Sequence, residues 1–177
     1  MRYDLRAADI IHRAGELARE LGHSYVGSAH LLLALCEDSG SSGQLLRCLG
    51  VQAELTMAMT QLLYGRGIPG LPLPQGLTAT ARRILRGAAQ EARQRRSRQV
   101  KPEHVLLSLA RQDGGAAEEL LKIYGIGADT LFTHTVDYLR WEESVSPTVK
   151  KEAVTTKLLE QFSEDLVQKA SGMEPVI

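Results

Sequence analysis

The sequence predicts an all-α fold of two tandem, pseudo-symmetric four-helix repeats, with one extra helix towards the carboxy terminus. Three observations predict it. Apolar residues recur at helical spacing along most of the 177 residues, and no stretch alternates apolar and polar between turn signals. The chain also repeats itself: Val26-Gly-Ser-Ala-His30-Leu-Leu-Leu-Ala-Leu35 matches Val100-Lys-Pro-Glu-His104-Val-Leu-Leu-Ser-Leu109, which sets His30 on His104 at an offset of 74. That offset carries Ile10 onto Ile84, Ile11 onto Leu85, Ala14 onto Ala88 and Ala18 onto Ala92. After a shift of one residue, 46–51 falls on 121–126.

Each repeat reads as four helices. In the first, Ile10, Ile11, Ala14, Leu17, Ala18 and Leu21 follow the i, i+3, i+4, i+7 rule, and Gly22 stops the helix. Ser28 is placed to cap a short, very apolar helix that runs through Leu35. In the second copy Pro102 occupies that helix's first turn, where a missing N–H does no harm. A third helix is expected over 42–49, ending at Gly50, and over 115–124, ending at Gly125. The fourth is expected over 52–64 and 128–140. The repeats thus span 4–64 and 78–141. The connector, 65–77, holds three prolines and four glycines, which exclude regular structure. After a break at 145–148, Val154, Leu158, Phe162 and Leu166 recur every four residues on a helix without a counterpart in the repeats.

Composition narrows the function. Formal net charge is zero, so the chain as a whole is no polyanion binder. Aromatics make up 5%, too few for the stacking platform of a single-strand binder. Cys36 and Cys48 lie inside apolar helical patterns with no CxxC or Cys/His ligand spacing, so they read as core residues of a protein in the reducing cytoplasm. The polar start argues against a signal peptide, and no apolar run approaches the ~20 residues of a membrane span. No nucleophile–base pair, metal set or GxxxxGK[ST] loop is present, so the chain reads as a binding module and not an enzyme. His30 and His104, beside apolar runs, read as hydrogen-bonded packing residues.

The duplicated unit, with Val26-Gly-Ser-Ala-His30-Leu-Leu-Leu and Leu21-Gly-His-Ser-Tyr-Val-Gly27, resembles the N-terminal Clp repeat domain of Clp/Hsp100-type ATP-driven unfoldases. The resemblance covers about residues 4–141 and is nearest to the ClpC branch, with ClpA and ClpB as relatives. The stretches Leu158-Leu-Glu-Gln-Phe-Ser-Glu-Asp-Leu166 and Glu174-Pro-Val-Ile177 are similar to the lead-in to that family's first nucleotide-binding module, so the resemblance implies a fragment of a longer protein. The resemblance implies recruitment of protein substrates and adaptor proteins to an AAA+ motor, and a ClpP-type protease attached through the full-length protein. It implies no cofactor in this chain, with ATP and magnesium confined to the motor. No membrane contact is expected, and the isolated chain should be a monomer or weak dimer.

In the ClpC branch the recruiting mark can be phosphoarginine. There each repeat offers a Thr at the start of its first helix and a Glu in its second, 25 positions later. A helix N-terminus and a hydroxyl suit the phosphate, and a carboxylate suits the guanidinium. Here the second repeat keeps both, as Thr78 and Glu103, and the first keeps neither, with Asp4 and Ala29 at the equivalent positions. One such site, built on the second repeat, is the resulting expectation. Structurally, Thr78 and Asp4 also suit helix capping, and Glu103 beside Pro102 suits a first-turn acid.

Charge is uneven. Residues 78–111 hold nine Lys or Arg against Glu91 and Glu103. The dense part, Arg93, Arg95, Arg96 and Arg98, reads either as a solvated helix end or as a surface for an acidic protein partner. Nucleic acid is the weaker reading, since no recognition helix or interleaved aromatics accompany it.

Overall fold

The computed structural model describes residues 1–68 and 74–145, and the further helix expected over 154–166 lies outside the described residues. Within them the chain forms eight helices: α1 (Leu5–Glu20), α2 (Ser28–Glu37), α3 (Ser41–Cys48), α4 (Ala53–Tyr64), α5 (Ala79–Gln94), α6 (Pro102–Ala110), α7 (Ala116–Ile123) and α8 (Ala128–Ser144). Two isolated β-bridges, and no strands, accompany them in the described residues.

The helices start and stop where local chemistry directs. The Asp4 carboxylate accepts the Ala7 N–H at 2.7 Å and opens α1, while Gly22, at φ +69°, turns the chain away after it. At the corresponding turn after α5 stands Arg96, at φ +56°, a conformation that costs a residue with a Cβ about 1 kcal/mol. Helix α8 runs four residues past the expected 140, because Tyr138 and Leu139 are buried and Trp141 packs on the core beyond them. Ser28 does not cap α2. Gly27 is the cap residue, and its N–H is taken by the Nδ1 of His30 at 2.9 Å. In α6 the Lys101 N–H meets His104 Nδ1 at the same distance. Both histidines thus fill the place that Glu or Gln takes in a capping box.

The two short apolar helices form the centre. All nine residues of α6 are buried, as are nine of the ten in α2, and the other helices pack around them. Packing crosses between the repeats in matched pairs: α2 meets α5 and α7, and α6 meets α1 and α3. Ser28, displaced from the capping role, works across this interface, where its buried Oγ accepts the Ala117 N–H at 3.1 Å. Ser28→Ala leaves that N–H unpaired and is expected to cost about 1–3 kcal/mol. Urea denaturation would measure it, and a loss below about 0.5 kcal/mol would show that the bond carries little of the interface.

Helix α4 is inverted in polarity. Its buried residues are Thr56 and Thr60, while Leu62 is 84% exposed. The threonines tolerate burial because each hydroxyl donates to the carbonyl four residues back, Thr56 to Gln52 at 2.6 Å and Thr60 to Thr56 at 2.7 Å. Thr56 Oγ1 also meets the Tyr124 hydroxyl at 2.8 Å, which ties α4 to the end of α7.

Candidate functional site

The start of each repeat's first helix docks on the loop before the other repeat's second helix. Asp4 donates its N–H to the Val100 carbonyl at 2.9 Å, and Val100 donates to Arg2 at 2.8 Å. At the equivalent place, Thr78 donates to Val26 at 2.9 Å and Val26 to Gly76 at 2.9 Å. The bridges Tyr3–Val100 and Val26–Leu77 mark these two junctions, so the end of the connector is itself paired.

This exchange separates the two residues of the expected site. Thr78 and Glu103 share a repeat, but the structure assigns them to different junctions. Thr78 caps α5, accepting the Ala81 N–H at 3.1 Å, and lines a cavity with Ala29 and Gly27 of the first repeat. Glu103 belongs with Asp4, whose charge helps to raise its pKa. Offset in sequence identified equivalent residues, and the crossed docking decides which of them meet. Each junction therefore holds half of the Thr–Glu pair. The Thr78 junction has a hydroxyl and a helix N-terminus but faces Ala29. The Glu103 junction has a carboxyl but faces Asp4.

The Glu103 carboxyl is 4% exposed and pushed up to about 7, chiefly by burial. Its own backbone N–H and Lys101 oppose the rise, and Glu142 and Asp4 add to it. Lys101 is itself engaged by Glu142 at 3.5 Å.

At the Thr78 junction the histidines form a directional chain. His30 Nδ1 accepts from Gly27, so its proton sits on Nε2 and is donated to His23 Nδ1 at 2.8 Å. His23 is then left to donate from Nε2 to the Gly65 carbonyl at 2.9 Å. Burial lowers His30 to about 4, with His23 adding to the effect, and lowers His104 to about 4, with Lys101 and Arg95 adding. His23 stands in the Leu21–Gly27 motif, but its role was not legible there, because this chain of hydrogen bonds joins residues 23, 30 and 65.

The arginine cluster divides. Arg93, Arg96 and Arg98 are exposed. Arg95 turns towards Glu91, a carboxylate only 3% exposed, with Nη2 at 3.6 Å. Arg111 pairs with the same carboxylate at 2.9 Å and lies over the Phe132 ring at 4.5 Å. Arg95 is therefore half-buried and tied to an internal charge group, unlike the three exposed arginines. The buried role of Glu91 was legible: it follows Ile84 and Ala88 on the apolar face of α5.

Among the described residues no disulfide joins Cys36 to Cys48, no group of three or more His, Cys, Asp or Glu is placed to hold a metal ion, and no helix is long and apolar enough to cross a membrane.

Comparison with known proteins agrees with this architecture. The family model for the Clp repeat (R) N-terminal domain matches residues 2–67 and 76–173. The ATP-dependent Clp protease ATP-binding subunit ClpA homolog of Guillardia theta is 31% identical over 179 residues, covering 99% of this chain and 22% of that protein. The chloroplastic chaperone protein ClpC of Pisum sativum is 29% identical over 182 residues, covering 99% of this chain and 20% of its own. The chain thus spans about a fifth of the length of the curated relatives it matches. Among solved structures, the N-terminal domain of the chaperone ClpD from Arabidopsis thaliana superimposes with a TM-score of 0.67 at 22% identity, over 78% of this chain and 95% of that one. The Hsp104 N-terminal domain from Candida albicans gives 0.64 at 20%, over 78% and 91%. At these identities the two structures show the shared fold.

Proposed function

Since this chain belongs to the Clp repeat (R) N-terminal domain family, we propose that it recruits protein substrates or adaptors and delivers them to an AAA+ unfoldase motor. The observation that carries this reading is the solvent-open cavity at the Thr78 junction, formed by both repeats at once and lined, among the described residues, by no nucleophile–base pair. Full-length relatives are named as ATP-binding subunits of a Clp protease, so coupling to a ClpP-type protease is part of the proposal. The cysteines suit a reducing compartment, whether a cytoplasm or the chloroplast named for the pea relative. Fluorescence anisotropy with labelled unfolded casein tests the reading. Saturable binding to the isolated chain, together with recovery of casein degradation when the chain is grafted onto a ClpC-type motor lacking its own N-domain, is expected. Absence of both would reject it.

Phosphoarginine is the finer reading, and the split of Thr78 from Glu103 shapes its expected result. A phosphate at Thr78 lacks a carboxylate for the guanidinium, and a guanidinium at Glu103 meets Asp4 where a phosphate would sit. Each lost charge-assisted hydrogen bond is worth about 1.5–3 kcal/mol, or roughly tenfold to a hundredfold in affinity. Calorimetric titration with free phosphoarginine is therefore expected to show no binding tighter than about millimolar. A single tight site weakened by both Thr78→Ala and Glu103→Ala would contradict the split. An acidic protein partner at Arg93, Arg96 and Arg98 is the second reading, favoured by the exposure of these three side chains.

A further inference from the structure

We propose that the cavity at the Thr78 junction binds one uncharged apolar side chain, aromatic or branched aliphatic, of a recruited polypeptide. The inference rests on the recruitment reading and names what that junction takes.

The cavity has a volume of about 240 Å³ and opens to solvent. Ala29, Ala116 and Gly27 contribute methyl groups and backbone to its wall, and Tyr25 and Tyr64 contribute rings that are 47% and 40% exposed. Among the described residues no charged side chain lines it. Its polar side chains already hold hydrogen bonds within the protein. The His23–His30 chain uses all four ring nitrogens, as described above. The Tyr25 hydroxyl donates to Gln75 at 3.1 Å, and the Tyr64 hydroxyl donates to Glu119. Thr60 is bonded to Thr56, and Thr78 caps Ala81. A cationic guest would lose its hydration and gain no counter-charge, whereas an apolar guest loses only its contact with water. Size agrees, because an apolar cavity of about 150 Å³ already accepts benzene.

The duplication supplies an internal contrast. Under the repeat offsets, His23 corresponds to Ser97, Gly27 to Lys101, His30 to His104 and Tyr64 to Leu139, and those four line a second cavity of about 170 Å³. There the wall also includes Arg95, Arg96, Glu142 and Glu143. The same architectural place is neutral in one half and charged in the other, so the neutrality follows from the residues present and not from the fold.

Indole, titrated into the intact chain and followed by amide chemical shifts, tests the proposal, with methylguanidine as the charged comparison. Indole is expected to bind with a dissociation constant of about 1–10 mM, shifting Tyr25, Gly27, Ala29 and Ala116, while methylguanidine leaves them in place. Ala29→Glu should abolish indole binding and admit methylguanidine. Ala116→Leu fills the cavity from the opposite wall and should remove indole binding without adding charge, which keeps the test intact if Ala29→Glu fails to fold. Equal response to both probes, no response to indole, or indole shifts that persist in folded Ala116→Leu would overturn the proposal. Casein binding by the same protein separates the two ideas: indole silent with casein bound removes the pocket assignment alone, and indole bound with casein absent removes recruitment.

Discussion

Truncating Leu106 or Leu32 to alanine should lower stability by about 2–5 kcal/mol each, a fall in Tm of roughly 4–20 °C. Both side chains are fully buried, Leu32 in α2 and Leu106 in α6. These two helices are covered on every side by helices of their own repeat and of the other, so the vacated volume has few routes to collapse. The matched control is Leu62→Ala on α4. With Leu62 84% exposed, its truncation should stay within about 0.5 kcal/mol. Urea denaturation of the three variants measures all of this. If Leu62→Ala proved as costly as Leu106→Ala, α6 would not be the centre of the fold.

Stability should also rise from pH 4 to a maximum near pH 6.5, fall slightly as Glu103 finishes titrating, and level off above pH 7. His30 and His104 are lowered to about 4 from an ordinary 6.5. Their contribution is therefore complete above 6.5 and is lost as pH falls towards 4, because unfolding then takes up a proton at each. Glu103 has the opposite sign. Raised to about 7 from 4.5, it contributes fully below 4.5 and loses that contribution as pH rises through 7. On the acid side two histidines outweigh one carboxyl, so the acid limb should be the dominant one. Gln at position 104 can accept the Lys101 N–H as histidine does but cannot titrate, so His104→Gln should make that limb shallower by one proton. Glu103→Gln should remove the decline that Glu103 imposes between about pH 4.5 and 7, leaving the acid limb steeper and no fall above pH 6.5. Urea unfolding from pH 4 to 8.5 gives both slopes, and an unchanged acid slope in His104→Gln would count against a buried neutral imidazole.

The helical periodicity made most of the fold legible, because burial on one face of a helix leaves its mark every three or four residues. Ile10, Ala14, Leu17 and Ala18 were read as a core face and are buried. Caps were less legible. Ser28 has the usual chemistry of a cap, yet a histidine three residues beyond the real cap took that N–H and left the serine for Ala117. The site was read only in part. Thr78 and Glu103 stand at the junctions, but periodicity and repeat matching describe each copy alone and carry no information on how the copies cross. The ion pair of Arg95 was not legible for a related reason. A run of arginines gives no sign that one of them folds back on Glu91.

The crossed junctions bear on how such a chain holds together. What the first half takes from the second at Val100, it gives back at Val26. That reciprocity is the signature of an isologous two-fold dimer, in which one patch serves as both donor and recipient. Tying the two halves into one polypeptide turns a concentration-dependent association into an intramolecular one. It also frees the two contacts from having to be identical. Ala29 and Glu103 occupy equivalent positions in an interface that, in a true homodimer, would have forced a single residue to serve both.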